Sequence, residues 1–164
     1  MVSIIGIDPG TATTGFGIIS ELPDKHIQCV QYGVIRTPAD LPMPERLALI
    51  YQDMQDLLLL HKPQFAAVEK LFFQKNVTNA LSVGQARGVI LLALQQRAIP
   101  IVEFTPNEVK QAVSGYGGAG KKQVQAMVKA LLGLQETPEP DDAADALAIA
   151  ICYQQAKAIM DLTQ

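Results

Sequence analysis

A chain of 164 residues with 49% hydrophobic content is long enough to bury one core and too apolar to be read as disordered. Its two cysteines, Cys29 and Cys152, stand far apart in apolar surroundings, and its two histidines, His26 and His61, share no ligand spacing. A disulfide framework and a zinc site are therefore excluded, and any metal must be held by oxygen. The net charge of −3 is unevenly spread: residues 70–129 carry eight basic side chains against Glu103 and Glu108, which makes that segment +6 and the remainder −9. Such a division suits a basic face toward a polyanion, although solvated helix charge produces the same pattern.

The N-terminus, MVSIIGIDPG, has neither the basic n-region nor the small-residue cleavage site of a signal peptide, and no apolar run approaches the ~18 residues of a membrane span. The expectation is a cytoplasmic protein with no membrane contact. Val2 to Ile7 is a β-branched run, and Pro9 biases Asp8 toward extended backbone, which puts Asp8 at a strand's C-terminal end. Gly10, Gly15 and Gly17 permit a turn and a second strand, and Ile27 to Thr37 reads as a third. Pro44 to Leu60 has apolar residues at helical spacing and is stopped by Pro63. Phe65 to Glu69 is again a buried strand ending in an acid. A long helix over Asn76 to Ala98, a strand over Ile99 to Phe104 and a short helix over Pro106 to Val113 follow. Beyond a glycine-rich loop, SGYGGAG, lie two more helices, Lys121 to Leu132 and Asp142 to Leu162, separated by the PEP linker at 138–140. Three strands followed by strand–helix alternation predict an α/β domain spanning residues 1–164: a mixed five-stranded sheet, three strands as an antiparallel meander and two parallel, flanked by helices.

Asp8 and Glu69 end strands at the edge where open α/β sheets place their sites. In EPDDAADALAIA, Asp142 and Asp145 are three apart and share one face of a helix's first turn, with Asp141 alongside. Taken singly, each acid has a structural use: a strand-end carboxylate faces water, and an aspartate at a helix start caps it. Taken together, four carboxylates from two strand ends and one helix start suit hard Mg²⁺ or Mn²⁺ ions. Two such ions ~3.5–4 Å apart assist phosphodiester hydrolysis. Two divalent cations would also offset the four anions, so an acidic chain does not exclude DNA.

The motifs GIDPGTATTGFG, VEKLFFQKN (68–76), GQARGV (84–89) and DDAADALAIA, in that order, resemble the RuvC family of bacterial Holliday-junction resolvases, within the RNase H-like superfamily, along nearly the whole chain. The resemblance implies a homodimeric, Mg²⁺-dependent endonuclease acting in recombination and DNA repair. It implies paired nicks in two opposed strands of a four-way junction, and partnership with the RuvA–RuvB branch-migration complex. It assigns metal binding and catalysis to Asp8, Glu69, Asp142 and Asp145, and leaves Asp141 to capping or electrostatic support. It assigns DNA contact to Lys110 in NEVKQ, to Lys121 with Lys122 beside it, and to Phe72, Phe73 and Lys75 in the loop after Glu69. Lysines neutralise phosphate without reading sequence, and an aromatic stacks on an unpaired base for ~1–3 kcal/mol. Of Phe72 and Phe73, one is expected exposed, Phe72, and one buried. Ala80, Gly84 and Gly88 on the long helix permit a close backbone approach, which suits a two-fold interface or packing on its own sheet.

Three rival readings bear on function. GYGGAGKK spells GxxxxGK, but a helix precedes it and Lys122 occupies the place of the Ser or Thr that holds Mg²⁺ in a P-loop. A YqgF-like nuclease acting on RNA would share size and fold, and a non-catalytic junction-binding module would have no use for all four acids.

Overall fold

In a computed structural model, residues 1–70 and 77–163 are described. Phe72, Phe73 and Lys75 lie outside the described residues. The elements run β1 (Val2–Asp8), β2 (Thr13–Glu21), β3 (Ile27–Arg36), α1 (Met43–His61), β4 (Phe65–Glu69), α2 (Val77–Gln96), β5 (Ile101–Phe104), α3 (Pro106–Ser114), α4 (Lys121–Leu131) and α5 (Asp141–Leu162). The sheet order is β3-β2-β1-β4-β5, with β1 antiparallel to β2, β2 antiparallel to β3, and β1–β4 and β4–β5 parallel. This is the expected mixed sheet, and its two acid-ended strands, β1 and β4, are neighbours.

Both faces of the sheet are covered, which is why β1 reads as a continuous apolar run instead of an alternating one. The period of two sorts its side chains. Ile4 joins Ile19, Ala67 and Leu147 in a core under α3, α4 and α5, while Ile5 and Ile7 join Ile18, Val68, Met54 and Ile90 in a second core under α1 and α2. Residues 4, 6 and 8 of β1 thus share the α5 face. Register sets Ile4 opposite Phe65 and Gly6 opposite Ala67 on β4, so Glu69 follows on the same face as Asp8.

The glycines of the first motif hold α5 close to the sheet. Gly15 and Gly17 both lie inside β2. A Cβ on Gly15 would sit 2.0 Å from the Asp142 carbonyl oxygen, and one on Gly6 2.1 Å from that of Ala146. The Ala-rich start of α5, with Ala143, Ala146 and Ala150 buried, therefore lies on bare backbone. Since Gly15 pairs with Asp8, that contact delivers Asp142 to the end of β1.

Helix α2 departs from one expectation. Over an 18-residue window its mean hydropathy of 1.3 satisfies the length and apolarity of a membrane crossing, because Val, Ile, Leu and Ala outweigh the polar residues that interrupt any unbroken apolar run. One face, Ala86, Ile90, Ala93 and Leu94, is fully buried in the second core. Both cysteines are free, Cys152 buried and Cys29 half-buried.

Candidate active site

The local structure around Asp8 is braced by the threonines that follow it. Thr14 closes the turn, its hydroxyl donating to the Gly10 carbonyl at 2.6 Å and accepting from the Gly10 N–H at 3.3 Å. Thr11 donates to the Ser82 carbonyl of α2 at 2.9 Å, and Thr37 donates to the Thr11 carbonyl at 2.6 Å. The Pro-Gly turn is thereby fixed to α2 and to the end of β3.

Asp8, Asp142 and Asp145 each offer a carboxylate oxygen, all within 4.8 Å of one another. Glu69 stands outside that group and acts on Asp8 through its charge and a side-chain hydrogen bond. The ends of β1 and β4 and the start of α5 thus meet here. Burial, then the charge and hydrogen bond of Glu69, then Asp145 and Asp142, push the Asp8 carboxyl up to about 9. Burial likewise raises Asp145 to about 6, against the opposing pull of Lys121. So many carboxylates at such spacing repel one another unless a proton or a cation intervenes. The donor set is wholly carboxylate oxygen and half-buried, and it fits a hard divalent cation.

Cations rim the cluster. Lys121 Nζ lies 3.1 Å from Asp141 Oδ2 and 3.8 Å from Asp145 Oδ2. Lys110 is half-buried and shares with Glu69, Asp145 and Lys121 a cavity of about 250 Å³ backed by Val109, Val124 and Ile149. Lys122 is exposed beside it. The glycine-rich loop ends at Gly120, the N-cap of α4, with α3 before it, so the context of a P-loop is absent.

Asp141 does not cap α5. The N-cap is Pro140, and no side chain caps the helix by hydrogen bond among the described residues. Both Asp141 oxygens turn instead to α4, Oδ1 accepting from Gln125 Nε2 at 3.0 Å and Oδ2 meeting Lys121. Two arginines went unassigned in the sequence reading. Arg87 of GQARGV pairs with Glu103 of β5 at 2.6 Å, and its Nε donates to the Glu69 carbonyl at 3.4 Å, tying α2 to the C-terminal end of β4. Arg36, opposite Thr13 in the β2–β3 register, borders an open groove with Asp141 and Asp142. The arginine in GQARGV was a visible signal for the first; for the second, only its position at a strand end.

Fold and acid cluster together define the class, a nuclease of the RNase H-like type. The family model for crossover junction endodeoxyribonuclease RuvC matches residues 4–153. The chain belongs to the RuvC family. It is 53% identical over 161 residues to the RuvC of Brevibacillus brevis, covering 98% of this chain and 96% of that one. With the RuvC of Desulfitobacterium hafniense it shares 57% over 150 residues, 92% of this chain and 90% of the relative. Among solved structures, T. thermophilus RuvC in complex with a Holliday junction substrate superposes with a TM-score of 0.92 at 33% identity, covering 98% and 97% of the two chains. The yeast mitochondrial Holliday junction resolvase shares the fold, with a TM-score of 0.70 at 15% identity over 97% of this chain and 82% of that one.

Proposed function

We propose that this chain resolves Holliday junctions by symmetric paired nicks in two opposed strands, hydrolysing a phosphodiester with Asp8, Glu69, Asp142 and Asp145 as the metal-binding and catalytic acids. The observation that carries this reading is the meeting of Asp8 at the end of β1 with Asp142 and Asp145 at the start of α5, their carboxylate oxygens within 4.8 Å of one another. Mg²⁺, two ions per site and replaceable by Mn²⁺, would supply water activation and neutralise charge at the leaving 3′ oxygen. The chain's own groups do the rest. Asp8 and Glu69, fixed at adjacent strand ends, hold the acids in register while the Pro-Gly turn leaves room for a phosphate. Lys110 and Lys121 face the same cavity and meet the backbone on either side of the scissile bond, with Lys122 adding charge outside. Phe72, Phe73 and Lys75, in the segment after Glu69, are assigned to the separated bases and phosphates of the junction.

A four-way junction offers two equivalent strands, so two copies of the chain are required for paired nicks. Helix α2 is the surface proposed for the homodimer: Val77, Leu81 and Leu92 are 79%, 64% and 51% exposed, and Gly88 between them faces open space. The RuvA–RuvB complex is the proposed source of the junction. The test is a nicking assay on a synthetic four-way junction and a linear duplex of the same sequence, with Mg²⁺ and with chelator. Paired, Mg²⁺-dependent nicks confined to the junction are expected. Binding without cleavage under any divalent metal would reduce the chain to a junction-binding module.

A further inference from the structure

Helix α4 begins with two lysines and has no acid in its first turn. That is the wrong sign for a helix N-terminus, whose unpaired N–H groups carry partial positive charge and favour anions. The missing acid comes from another helix. Asp141, the first residue of α5, turns its carboxylate across to α4, where Lys121 and Gln125, one turn apart, each take one oxygen. This two-point hold explains how a long, half-exposed lysine side chain stays beside the acid cluster. Lys121 is 53% and Asp141 62% exposed, the setting in which an ion pair adds little to global stability. Its use must lie in where it puts the ammonium group. Lys121 also lies 3.8 Å from Asp145, and a cation bound among Asp8, Asp142 and Asp145 would repel it from that second partner. Asp141 stands outside the cluster and keeps its hold.

We infer that Asp141, steadied by Gln125, is a positioning residue that holds the Lys121 ammonium at the rim of the cleavage site when the acid cluster is occupied. The inference rests on the proposed role of Lys121 toward the scissile phosphate. Asp141 touches neither the reacting atoms nor, on this account, the metal.

A double-mutant cycle tests it with Asp141→Ala, Lys121→Ala and the pair, read by single-turnover cleavage, by junction affinity in chelator and by Tm. Asp141→Ala should slow cleavage roughly 3- to 10-fold in the otherwise unchanged protein and by less than about 1.5-fold in the Lys121→Ala background, the coupling expected of two groups in contact. Junction affinity in chelator should hold or tighten, since a negative charge is lost while Lys121 remains. The Tm should move little. Gln125→Ala should act in the same direction and more weakly. Equal losses in both backgrounds would make Asp141 a structural helix-start residue and overturn the inference, as would unchanged or faster cleavage by Asp141→Ala alone. If Lys121→Ala itself altered neither cleavage nor binding, the fault would lie with the proposed role of Lys121, a distinct failure.

Discussion

Replacing Asp8 by Asn should make the metal-free protein more stable while destroying its activity. In the metal-free fold Asp8 is pushed up to about 9 from an ordinary value of 3.8, by burial first and then by Glu69 and the two α5 aspartates. Each unit of such a shift corresponds to about 1.36 kcal/mol of preference for the neutral form. At about pH 7.5, above the ordinary value and below about 9, the metal-free fold must take up at Asp8 a proton that the unfolded chain does not hold. Solvent at the open rim screens part of the repulsion, so the portion reaching global stability is about 1–3 kcal/mol. Asn keeps the shape and hydrogen-bonding capacity of the neutral acid and carries no charge. In chelator, Asp8→Asn should therefore raise the Tm by about 3–10 °C, for a domain of this size. Added Mg²⁺ should raise the Tm of the unaltered protein and barely move the variant, because a ligand that binds only the folded state stabilises it. Cleavage should fall by at least about 10²–10³-fold with junction binding retained. A variant less stable than its parent in chelator would show that Asp8 is a structural residue and that the repulsion argument is wrong.

Three further outcomes follow from the same geometry. Asp8 and Asp145 bind protons more tightly in the folded than in the unfolded chain, so their contribution is fully present below about pH 4, and is lost as pH climbs through about 6 and then about 9. The Tm in chelator should accordingly fall from pH 5.5 to 9 and flatten in saturating Mg²⁺; a rising or Mg²⁺-insensitive profile would contradict this. Gly15→Ala places a methyl 2.0 Å from the Asp142 carbonyl and should cost about 1–3 kcal/mol or more by thermal unfolding, while misplacing Asp142 enough to abolish cleavage. Arg87→Met removes the partner of Glu103 and the donor to the Glu69 carbonyl, and should lower stability by about 1–3 kcal/mol in the same measurement; an unchanged Tm would show that the tie carries no load.

The framework was legible because its signals are local. The β-branched runs of β1 and β4 end in Asp8 and Glu69, and a period of two places both acids on one face once the strands are neighbours. Asp142 and Asp145 share a helix face by spacing alone. What escaped was set by contacts between distant segments. Gly15 and Gly17 read only as residues that permit a turn and a strand, because nothing in the chain near them announces that α5 will lie on their bare backbone. Asp141 was left between capping and electrostatic support, because the partners that decide between them, Lys121 and Gln125, come from another helix. Arg87 lay inside a quoted motif without a role, since its partner Glu103 is supplied by β5. The mean hydropathy of α2 is high because its Val, Ile, Leu and Ala outweigh the polar residues between them, which a search for an unbroken apolar run does not count.

The central claim is that Asp8, Glu69, Asp142 and Asp145 make one metal site. Crystals grown with Mn²⁺ test it most directly through an anomalous difference map. The account predicts density between Asp8, Asp142 and Asp145, with Glu69 at its edge, and loss of that density in Asp145→Asn. Mn²⁺ bound elsewhere, or an empty cluster at saturating metal with the four acids in place, would contradict it.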